Sequence, residues 1–439
     1  MSGLLESLST LASEPYLALS RWLTVRALDH KAKQRAGVMP FAGDPKSMLY
    51  VAASALPYHT SGYTTRTHEV IQAIASVGGR VHALTRPGYP NDRHDRLSNA
   101  EAHETQVGNV RYLHAAAPFN NRPVLFYAMH AAPVVAQWAR RHKVSVIHAA
   151  SNHVNALPAL LAARREGIPF QYEMRGLWEL TRISRTPQYE RRQGFKQGLQ
   201  LEGLVARHAD KVFVISKQLG RYARDRWGIP EERIFLLPNC VDPGRIVPLK
   251  SQAVDPHTIG YAGSLLAYEG LDTLIDAVDV LVRQGHPVKV DLVGEGEARS
   301  ALEAQVRRLG LSDRIRFHGR VSPERARETV GGCAIVCIPR KPFKVCEIVP
   351  PIKMVEALAM GKPVIVPDLP VFRDEMGPNP AGWFFKAGDP VHLAQVIETA
   401  LADRQTLSAL GVRAREYAST QRCWRDFVIN ALPEVRREG

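Results

Sequence analysis

The stretch VKVDLVGEGEARSALEAQVRRLGLSDRIRFHG, residues 288–319, decides the fold. It holds a β-rich run, a loop with a helical pattern of apolar residues, and a second β-rich run, an order typical of a parallel βαβ unit. The runs HTIGYAG (257–263), CAIVCIP (333–339) and KPVIVPD (362–368) continue the alternation on both sides. This part of the chain therefore predicts a Rossmann-like sheet.

A second set of β-rich runs lies earlier in the chain. These runs are SMLYVAASAL (47–56), VHALT (81–85), VSVIHAA (144–150), FQYEM (170–174) and KVFVIS (211–216). The helical pattern TRTHEVIQAIASVGG (65–79) joins the first two of them. We therefore predict the α/β class, with two Rossmann-like domains and a cleft between them to which both domains contribute loops.

Composition along the chain indicates where the domains meet. The segment 233–258 is rich in proline and lacks helical periodicity, as a connector does. The first 46 residues are amphipathic and mildly basic, which fits either a packing arm or a membrane-surface anchor. The predicted order is a helical extension (1–46), a first Rossmann-like domain (47–243), a linker (244–256), a second Rossmann-like domain (257–410) and C-terminal helices that cross back to the first domain (411–439).

The overall composition is that of a globular protein with a basic surface. Of the 439 residues, 45% are apolar and 23% are charged, which excludes wholesale disorder and a coiled-coil rod. The net charge of +14 favours partners that carry phosphate, such as nucleotides, nucleic acid or an anionic membrane surface. Because the sequence has no recognised nucleic-acid module and no interleaved aromatic platform, we predict that nucleic acid is not a partner.

The cysteines and the N-terminal residues indicate the compartment. Five scattered cysteines show neither a disulfide framework nor the paired spacing of a zinc site, which favours a reducing cytoplasm. The first 20 residues lack the basic start and the uninterrupted apolar run of a signal peptide. The apolar run 123–139 is short for a bilayer span and contains polar residues. We expect a cytoplasmic location, with peripheral association at the inner membrane face left open.

The loop after the first β-rich run is a candidate ligand loop. It reads SALPYHTSGYTTRTHE (54–69) and passes through Gly62 just before a predicted helix. A glycine there lets backbone amides approach a ligand closely, and a helix start favours negative charge. The alternative is a glycine that only the turn requires.

A second candidate lies in KPFKVCEIVPPIKMVEALAMGKPVIVPD (341–368). The two prolines suit the first turn of a helix that ends at Gly361, and Lys353 and Glu356 would share one face of it. An ammonium beside a carboxylate suits a nucleoside diphosphate, because Lys353 can neutralise phosphate while Glu356 accepts the ribose hydroxyls. The alternative is a surface ion pair.

Other patterns favour simpler interpretations. The run VGEGEARSAL (293–302) lacks the third glycine of a dinucleotide fingerprint, since Arg299 occupies that position, and it predicts a strand-to-helix turn. The histidines show no metal-ligand spacing, and no serine or cysteine lies in a nucleophile elbow. The basic strip TRISRTPQYERRQGFK (181–196) fits either a solvated face or contact with anionic headgroups or a phosphorylated acceptor.

Together these segments resemble the retaining GT-B glycosyltransferases of family 4. The resemblance covers most of residues 47–430 and is most specific in PIKMVEALAMGKPVIVPD (351–368), where Glu356 matches the ribose-binding glutamate. The segment GYAGSLLAYEGLDTLIDA (260–277) matches the turn that faces the donor diphosphate, which makes Gly263 and Ser264 donor-binding candidates. The resemblance implies a nucleotide-sugar donor, a glycan or lipid-linked acceptor, no metal or other cofactor, and transfer with retention along a front-face path.

The chain departs from the family pattern at charged positions. The first glutamate of the family signature falls on Ile348, with Glu347 beside it, so Glu347 is the candidate catalytic carboxylate. The arginine and lysine of the diphosphate turn fall on Ser264 and Glu269. We therefore expect Lys353, helped by Arg340 or its neighbour Lys341, to neutralise the donor phosphates.

Three segments resemble a subgroup associated with exopolysaccharide or capsule assembly. They are GSLLAYEGLD (263–272), YEMRGLWE (172–179) and LPYHTSGYTTRTHE (56–69). In that subgroup Arg175 is a candidate for contacting the reacting sugar or the donor phosphate. Two alternatives stay open: a nucleotide-sugar 2-epimerase of the same architecture, and a degenerate protein that binds nucleotide sugars without turnover.

Overall fold

The computed structural model describes residues 2–34, 43–92, 103–248 and 254–432, with side chains from residue 18 onward. The chain forms two compact units. The first comprises Met1–Ile215, Leu219–Leu237 and Trp424–Gly439, and the second comprises Ser216–Gln218 and Pro238–Cys423.

The first unit contains an eight-stranded sheet. Its strands are β1 (Asp44–Ala52), β2 (Arg80–Thr85), β3 (Glu104–Val107), β4 (Val110–Leu113), β5 (Val144–Ala150), β6 (Phe170–Met174), β7 (Lys211–Val214) and β8 (Ile234–Leu236). Their order in the sheet is β3-β4-β2-β1-β5-β6-β7-β8, and every pair is parallel except the antiparallel pair of β3 and β4.

Helices cover the central strands of this sheet. Up to residue 237 they are α1 (Ser2–Lys33), α2 (Gly62–Ser76), α3 (Val124–Arg141), α4 (His153–Glu166), α5 (Trp178–Ile183), α6 (Gln193–His208) and α7 (Lys217–Trp227), with 3-10 turns at Pro187–Arg191 and Glu231–Arg233. All residues of β6 are buried, including Phe170 and Tyr172. A central parallel strand is buried on both faces, and the two polar residues of β6, Gln171 and Glu173, are hydrogen-bonded within the protein.

The second unit contains a six-stranded parallel sheet with the order β11-β10-β9-β12-β13-β14. The strands are β9 (Asp255–Ala262), β10 (Lys289–Val293), β11 (Ile315–Gly319), β12 (Cys333–Cys337), β13 (Val364–Pro367) and β14 (Gly382–Phe385). The helices are α8 (Leu271–Arg283), α9 (Arg299–Arg308), α10 (Pro323–Gly331), α11 (Lys344–Ile348), α12 (Ile352–Ala359), α13 (Pro370–Met376), α14 (Pro390–Ala402) and α15 (Arg404–Gln421), with a 3-10 turn at Ala267–Glu269. The last helix of the chain, α16 (Trp424–Val428), belongs to the first unit.

The prediction of an α/β protein with two Rossmann-like domains is confirmed. The boundaries differ from the predicted ones at two places. The chain enters the second unit at Pro238 rather than after residue 243, and β9 already begins within the predicted linker. At the other end, α15 lies in the second unit, so the described part that returns to the first unit begins at Trp424 rather than at residue 411. Parts of the predicted extension, linker and C-terminal segment lie outside the described residues: 1, 35–42, 249–253 and 433–439.

Helix α3 contains the long apolar run of the sequence, and its apolar side chains are largely buried in the first unit. None of the helices within the described ranges combines the length and the apolar composition that a bilayer span requires.

In each sheet the strand order reverses once along the chain. The reversal lies between β1 and β5 in the first unit and between β9 and β12 in the second. Ligands of open α/β sheets bind beyond the carboxyl ends of the strands beside such a point. The residues that follow β9 and β12 are therefore where a ligand of the second unit is expected.

Candidate active site

Two glycine turns lie against each other at the carboxyl ends of β9 and β10. Gly263 has φ +155° and Gly294 has φ +137°, both of which disfavour other residues. The Gly263 amide donates to the Val293 carbonyl oxygen at 2.9 Å. A Cβ atom on Gly294 would lie 1.8 Å from the Gly263 carbonyl oxygen. The two backbones can approach this closely only because position 294 is glycine.

Replacing Gly294 by alanine is expected to lower the free energy of unfolding by about 2–3 kcal/mol, since the new methyl group meets backbone at a position of positive φ. Urea unfolding followed by circular dichroism measures the loss. Gly310→Ala is the matched control, because Gly310 has φ +69° and nothing within 4 Å of its Cβ position. Equal losses in both variants would show that backbone strain alone, without the contact between the turns, accounts for the effect.

A buried ion cluster adjoins the Gly263 turn. The Lys353 ammonium, on the first turn of α12, donates to Glu269 Oε2 at 2.9 Å and to the Tyr261 hydroxyl at 2.6 Å. Arg340, which follows β12, donates to both oxygens of the same carboxylate, at 2.9 and 3.2 Å. A Cβ atom on Gly263 would lie 2.7 Å from Lys353 Nζ, so the glycine leaves room for the ammonium.

The electrostatics of this cluster follow from one buried acid between two bases. Burial alone would raise the pKa of Glu269, but Arg340 and Lys353 hold it down to about 2. Burial lowers the pKa of Lys353, and Glu269 opposes that shift. The cluster therefore contains one negative and two positive charges and carries a net charge of about +1.

Arg340 is buried, and each of its guanidinium nitrogens donates to a protein group. Its remaining terminal nitrogen donates to the Val349 carbonyl oxygen at 2.9 Å, so every guanidinium nitrogen has a protein acceptor. Lys341, the other predicted helper, pairs with Asp272 at 2.5 Å. Of the three cations predicted to neutralise the donor phosphates, Lys353 lies nearest the Gly263 turn. Arg340 shares the Glu269 carboxylate with it, and Lys341 pairs with Asp272.

Glu356 faces a small cavity of about 120 Å³ between α10 and α12, which Lys353, Arg327 and Ala262 also line. Burial raises the pKa of Glu356, whereas Arg327, Arg245 and Lys353 act in the opposite direction. The ammonium of Lys353 is paired with Glu269 rather than with Glu356. The structure therefore does not support a simple surface ion pair between the two residues of α12.

Glu347 lies at a different kind of position. It is partly exposed on α11 and pairs with Lys344 of the same helix at 2.9 Å. Ile348, which falls on the family's glutamate position, is buried with 4% of its surface exposed. The catalytic role of Glu347 stays a prediction.

Arg175 lies in a buried polar network of the first unit. It donates to both carboxylate oxygens of Glu173 at 2.9 Å, to Thr67 Oγ1 at 2.6 Å and to the Tyr63 carbonyl oxygen at 3.1 Å. The guanidinium of Arg66 contacts Glu173 at 2.9 Å as well. Arg175 is therefore engaged with protein groups, and a contact with sugar or phosphate stays a prediction.

Gly62 is the exposed first residue of α2, and Arg175 reaches the carbonyl of the next residue. Ser61 precedes the helix and accepts a hydrogen bond from the Thr64 amide, while the Thr64 side chain accepts one from the Ser61 amide. This reciprocal capping box fixes where α2 begins. The structure thus brings Gly62 and Arg175 together in the first unit, and Gly263, Ser264, Arg340, Lys353 and Glu356 together in the second.

A buried group of acids and a histidine lies near α5 in the first unit. His153 Nδ1 is 3.0 Å from Glu202 Oε1 and 4.0 Å from Glu179 Oε1. Burial, followed by the nearby Glu202 charge, raises the pKa of Glu179 to about 7. Across the described ranges, no group of three or more His, Cys, Asp or Glu side chains is arranged to hold a metal ion.

Sequence reasoning missed three residues that shape these sites. Tyr261 fixes both Lys353 and the Ser264 carbonyl, the latter at 2.9 Å, but in the sequence it is one aromatic residue of a buried strand. Glu173, in the quoted segment 172–179, organises the network around Arg175. Arg327 faces Glu356 from another helix, and no local pattern indicates that proximity.

Two family models match the chain. The model described as glycosyl transferase 4-like domain matches residues 61–240, and the model described as glycosyl transferases group 1 matches residues 249–417. Among curated proteins, a phosphatidyl-myo-inositol mannosyltransferase of Mycobacterium leprae is 29% identical over 149 residues, which are 33% of this chain and 38% of that protein. The chain spans about half, or less, of the length of the first curated relatives that it matches.

Solved structures share the fold over most of the chain. A sucrose-phosphate synthase from Thermosynechococcus elongatus has a TM-score of 0.71 and 18% identity, covering 88% of this chain and 97% of that one. HepE from Anabaena in complex with UDP-glucose has a TM-score of 0.63 and 18% identity, covering 88% and 98%. Because the two family models together match most of the chain and these structures share its two-sheet fold, the chain belongs to the glycosyltransferases of the GT-B fold, with a 4-like domain followed by a group 1 domain.

Proposed function

We propose that the protein transfers a sugar from a nucleotide-sugar donor to a glycan or lipid-linked acceptor, with retention of the anomeric configuration. The observation that carries this proposal is the placement of Lys353 beside the Gly263 turn and of Glu356 at the adjoining cavity. A cation at a glycine turn suits a diphosphate, and a carboxylate one helical turn away suits a ribose diol. Both lie at the sheet edge where ligands of open α/β folds bind.

In this proposal the chain's residues act mainly on the leaving group. As the bond between the anomeric carbon and the diphosphate oxygen breaks, negative charge grows on that oxygen, and the Lys353 ammonium and the Ser264 backbone amide stabilise it. The acceptor hydroxyl attacks from the same face and gives its proton to the departing phosphate. No protein nucleophile takes part, and Glu347 remains the candidate carboxylate near the sugar.

The remaining candidates support the site without contacting phosphate. We assign Arg340 the role of holding Glu269, and thereby Lys353, in place, since it donates to both oxygens of that carboxylate. Arg175 holds the start of α2 through the Tyr63 carbonyl and thus positions the Gly62 turn. Neither role needs a metal ion or another cofactor, and turnover in excess EDTA tests that expectation.

The substrates that we propose follow from similar proteins and from the three segments that resemble the exopolysaccharide subgroup. UDP-glucose is the first donor to test, because the Anabaena neighbour was solved with it. A lipid-linked acceptor is favoured by the name of the mycobacterial relative, and the three segments of the subgroup favour exopolysaccharide or capsule assembly at the cytoplasmic face of the membrane.

A thermal-shift screen of nucleotide sugars, followed by turnover with and without acceptor, tests the proposal. A product that needs an acceptor and keeps the anomeric configuration by NMR supports it. Conversion of the donor sugar without acceptor would indicate a 2-epimerase instead. Donor binding without any turnover would indicate a degenerate binding protein.

Replacing Glu356 by glutamine is expected to weaken binding of the best donor about 10-fold or more, because the neutral amide is a poorer acceptor for two ribose hydroxyls. Since burial raises the pKa of Glu356 above its ordinary value of 4.5, donor affinity should fall on acidification at a higher pH than an ordinary glutamate would give. Isothermal titration calorimetry across pH checks both expectations. A variant with the affinity and pH profile of the natural protein would remove Glu356 from the site.

A further inference from the structure

A groove in the first unit is separate from the candidate active site. It lies between α1, α6 and α7 and has a volume of about 860 Å³. Apolar and aromatic side chains line part of it: Trp22 of α1, Phe195 and Leu199 of α6, and Trp227 of α7. Leu199 is buried, whereas half of the Trp22 surface is exposed, so the apolar lining continues outward to solvent.

Most of the polar side chains that line the groove are basic. Arg26, Lys196, Arg207 and Arg226 all line it, and within the described ranges no carboxylate is recorded as their partner. Arg26 lies over the Trp22 ring at 4.6 Å, and both side chains line the groove. A concentration of like charge without acids to neutralise it favours an anionic ligand.

The single acid of the groove is already used. Asp29 is the one carboxylate among the lining residues, and it pairs with Lys33 at 2.7 Å and with His208 at 2.8 Å. Lys33 offsets the charge of Asp29, and the contact between Asp29 and His208 ties α1 to α6. The four remaining cations therefore keep their full charge toward a ligand.

The outer face of α1 is apolar next to this charge. Leu19, Trp22 and Leu23 are 56%, 51% and 52% exposed, although Leu28 and Ala32 on the inner face of the same helix are buried. Exposed leucine and tryptophan beside arginine and lysine are the composition of helices that lie in the interface of a bilayer. A free anion such as phosphate would explain the cations but not this apolar face.

We propose that the groove between α1, α6 and α7 binds the phosphate headgroup of an anionic phospholipid, while Leu19, Trp22 and Leu23 enter the boundary with the acyl chains. In this arrangement the cations of the groove contact the lipid phosphates, and the Trp22 ring lies at the same depth in the headgroup layer. The basic strip 181–196 leads directly into α6 and adds positive charge along the same part of the chain. The partner is an anionic bilayer surface, whatever acceptor the enzyme uses.

Co-sedimentation of the full chain with vesicles tests the proposal. We expect binding to vesicles of phosphatidylglycerol and phosphatidylcholine, and about 10-fold or more weaker binding to vesicles of phosphatidylcholine alone. The double variant Arg26→Glu, Lys196→Glu should lose at least about 10-fold in affinity for the anionic vesicles. The matched control Arg307→Glu, Arg308→Glu changes the net charge equally on the exposed side of α9 and should keep the affinity.

Trp22→Ala separates a lipid surface from a soluble phosphate. It should weaken vesicle binding, and inorganic phosphate at millimolar concentration should not displace the vesicles. Equal losses in the two double variants, unchanged binding by Trp22→Ala, or displacement by inorganic phosphate would each overturn the proposal. Thermal unfolding of every variant controls for loss of fold, and vesicle binding is measured without donor, so its failure leaves the proposed sugar transfer untouched.

Discussion

Replacing Lys353 by alanine is expected to lower kcat/KM for the nucleotide-sugar donor about 100- to 1000-fold. The ammonium lies beside the Gly263 turn, where a Cβ atom on the glycine would be 2.7 Å from Lys353 Nζ. Removing a single preorganised donor to a developing negative charge has an effect of about this size. Initial rates with the donor identified by thermal shift measure the change, and calorimetry shows how much of it is lost binding.

Lys341→Ala is the matched control for the loss of one positive charge. Lys341 pairs with Asp272 in a partly exposed ion pair, which contributes about 0–1 kcal/mol. Its removal should change kcat/KM less than about 5-fold. If both variants lost activity equally, general charge rather than the position of Lys353 would be responsible. If Lys353→Ala kept full activity, the diphosphate would have to bind elsewhere.

Replacing Glu173 by alanine is expected to cost about 3–5 kcal/mol of the free energy of unfolding. Glu173 is buried between Arg66 and Arg175, and its loss leaves two buried guanidinium groups without their carboxylate. Urea unfolding at neutral pH measures the loss. Glu104→Ala is the control, because Glu104 pairs with Arg111 at an exposed position and should cost less than about 1 kcal/mol.

We also expect the contribution of Glu173 to the free energy of unfolding to depend on pH. Burial would raise the pKa of Glu173, but Arg175 and Arg66 hold it well below the ordinary value of 4.5. Its stabilisation is therefore fully present above pH 4.5, the unfolded-state value, and is lost as the pH falls from there toward the lower folded-state pKa. The difference in stability between the natural protein and Glu173→Ala should shrink on acidification over this range. A constant difference would show that the lost contacts are not ionic.

Much of the fold follows from the sequence because several central parallel strands, such as β12 and β13, are buried along their whole length and consist of short apolar runs. The runs at 144–150 and 170–174 coincide with β5 and β6. The strands that were missed carry little of that signal. β8 has three partly buried residues inside a proline-rich segment, and β3 alternates exposed and partly buried residues at the sheet edge. Edge strands are stabilised by their neighbours rather than by their own composition.

The part of the candidate site that could be predicted consists of residues close together in the sequence. Lys353 and Glu356 share one helix, so spacing alone places them near each other. The ion cluster was not predictable, because Glu269 lies 84 residues from Lys353 and 71 residues from Arg340 along the chain. Which cations remain available to a ligand depends on such distant partners. For the same reason Arg175, identified from a segment, proved to be engaged with Glu173.

Glu269 gives the second unit a counter-ion that belongs to the polypeptide itself. Because this carboxylate lies beside Lys353 and Arg340 without any ligand, the two positive charges have a buried partner when no product is bound. After a charged product leaves, no anion from solution would be needed to neutralise Lys353 and Arg340.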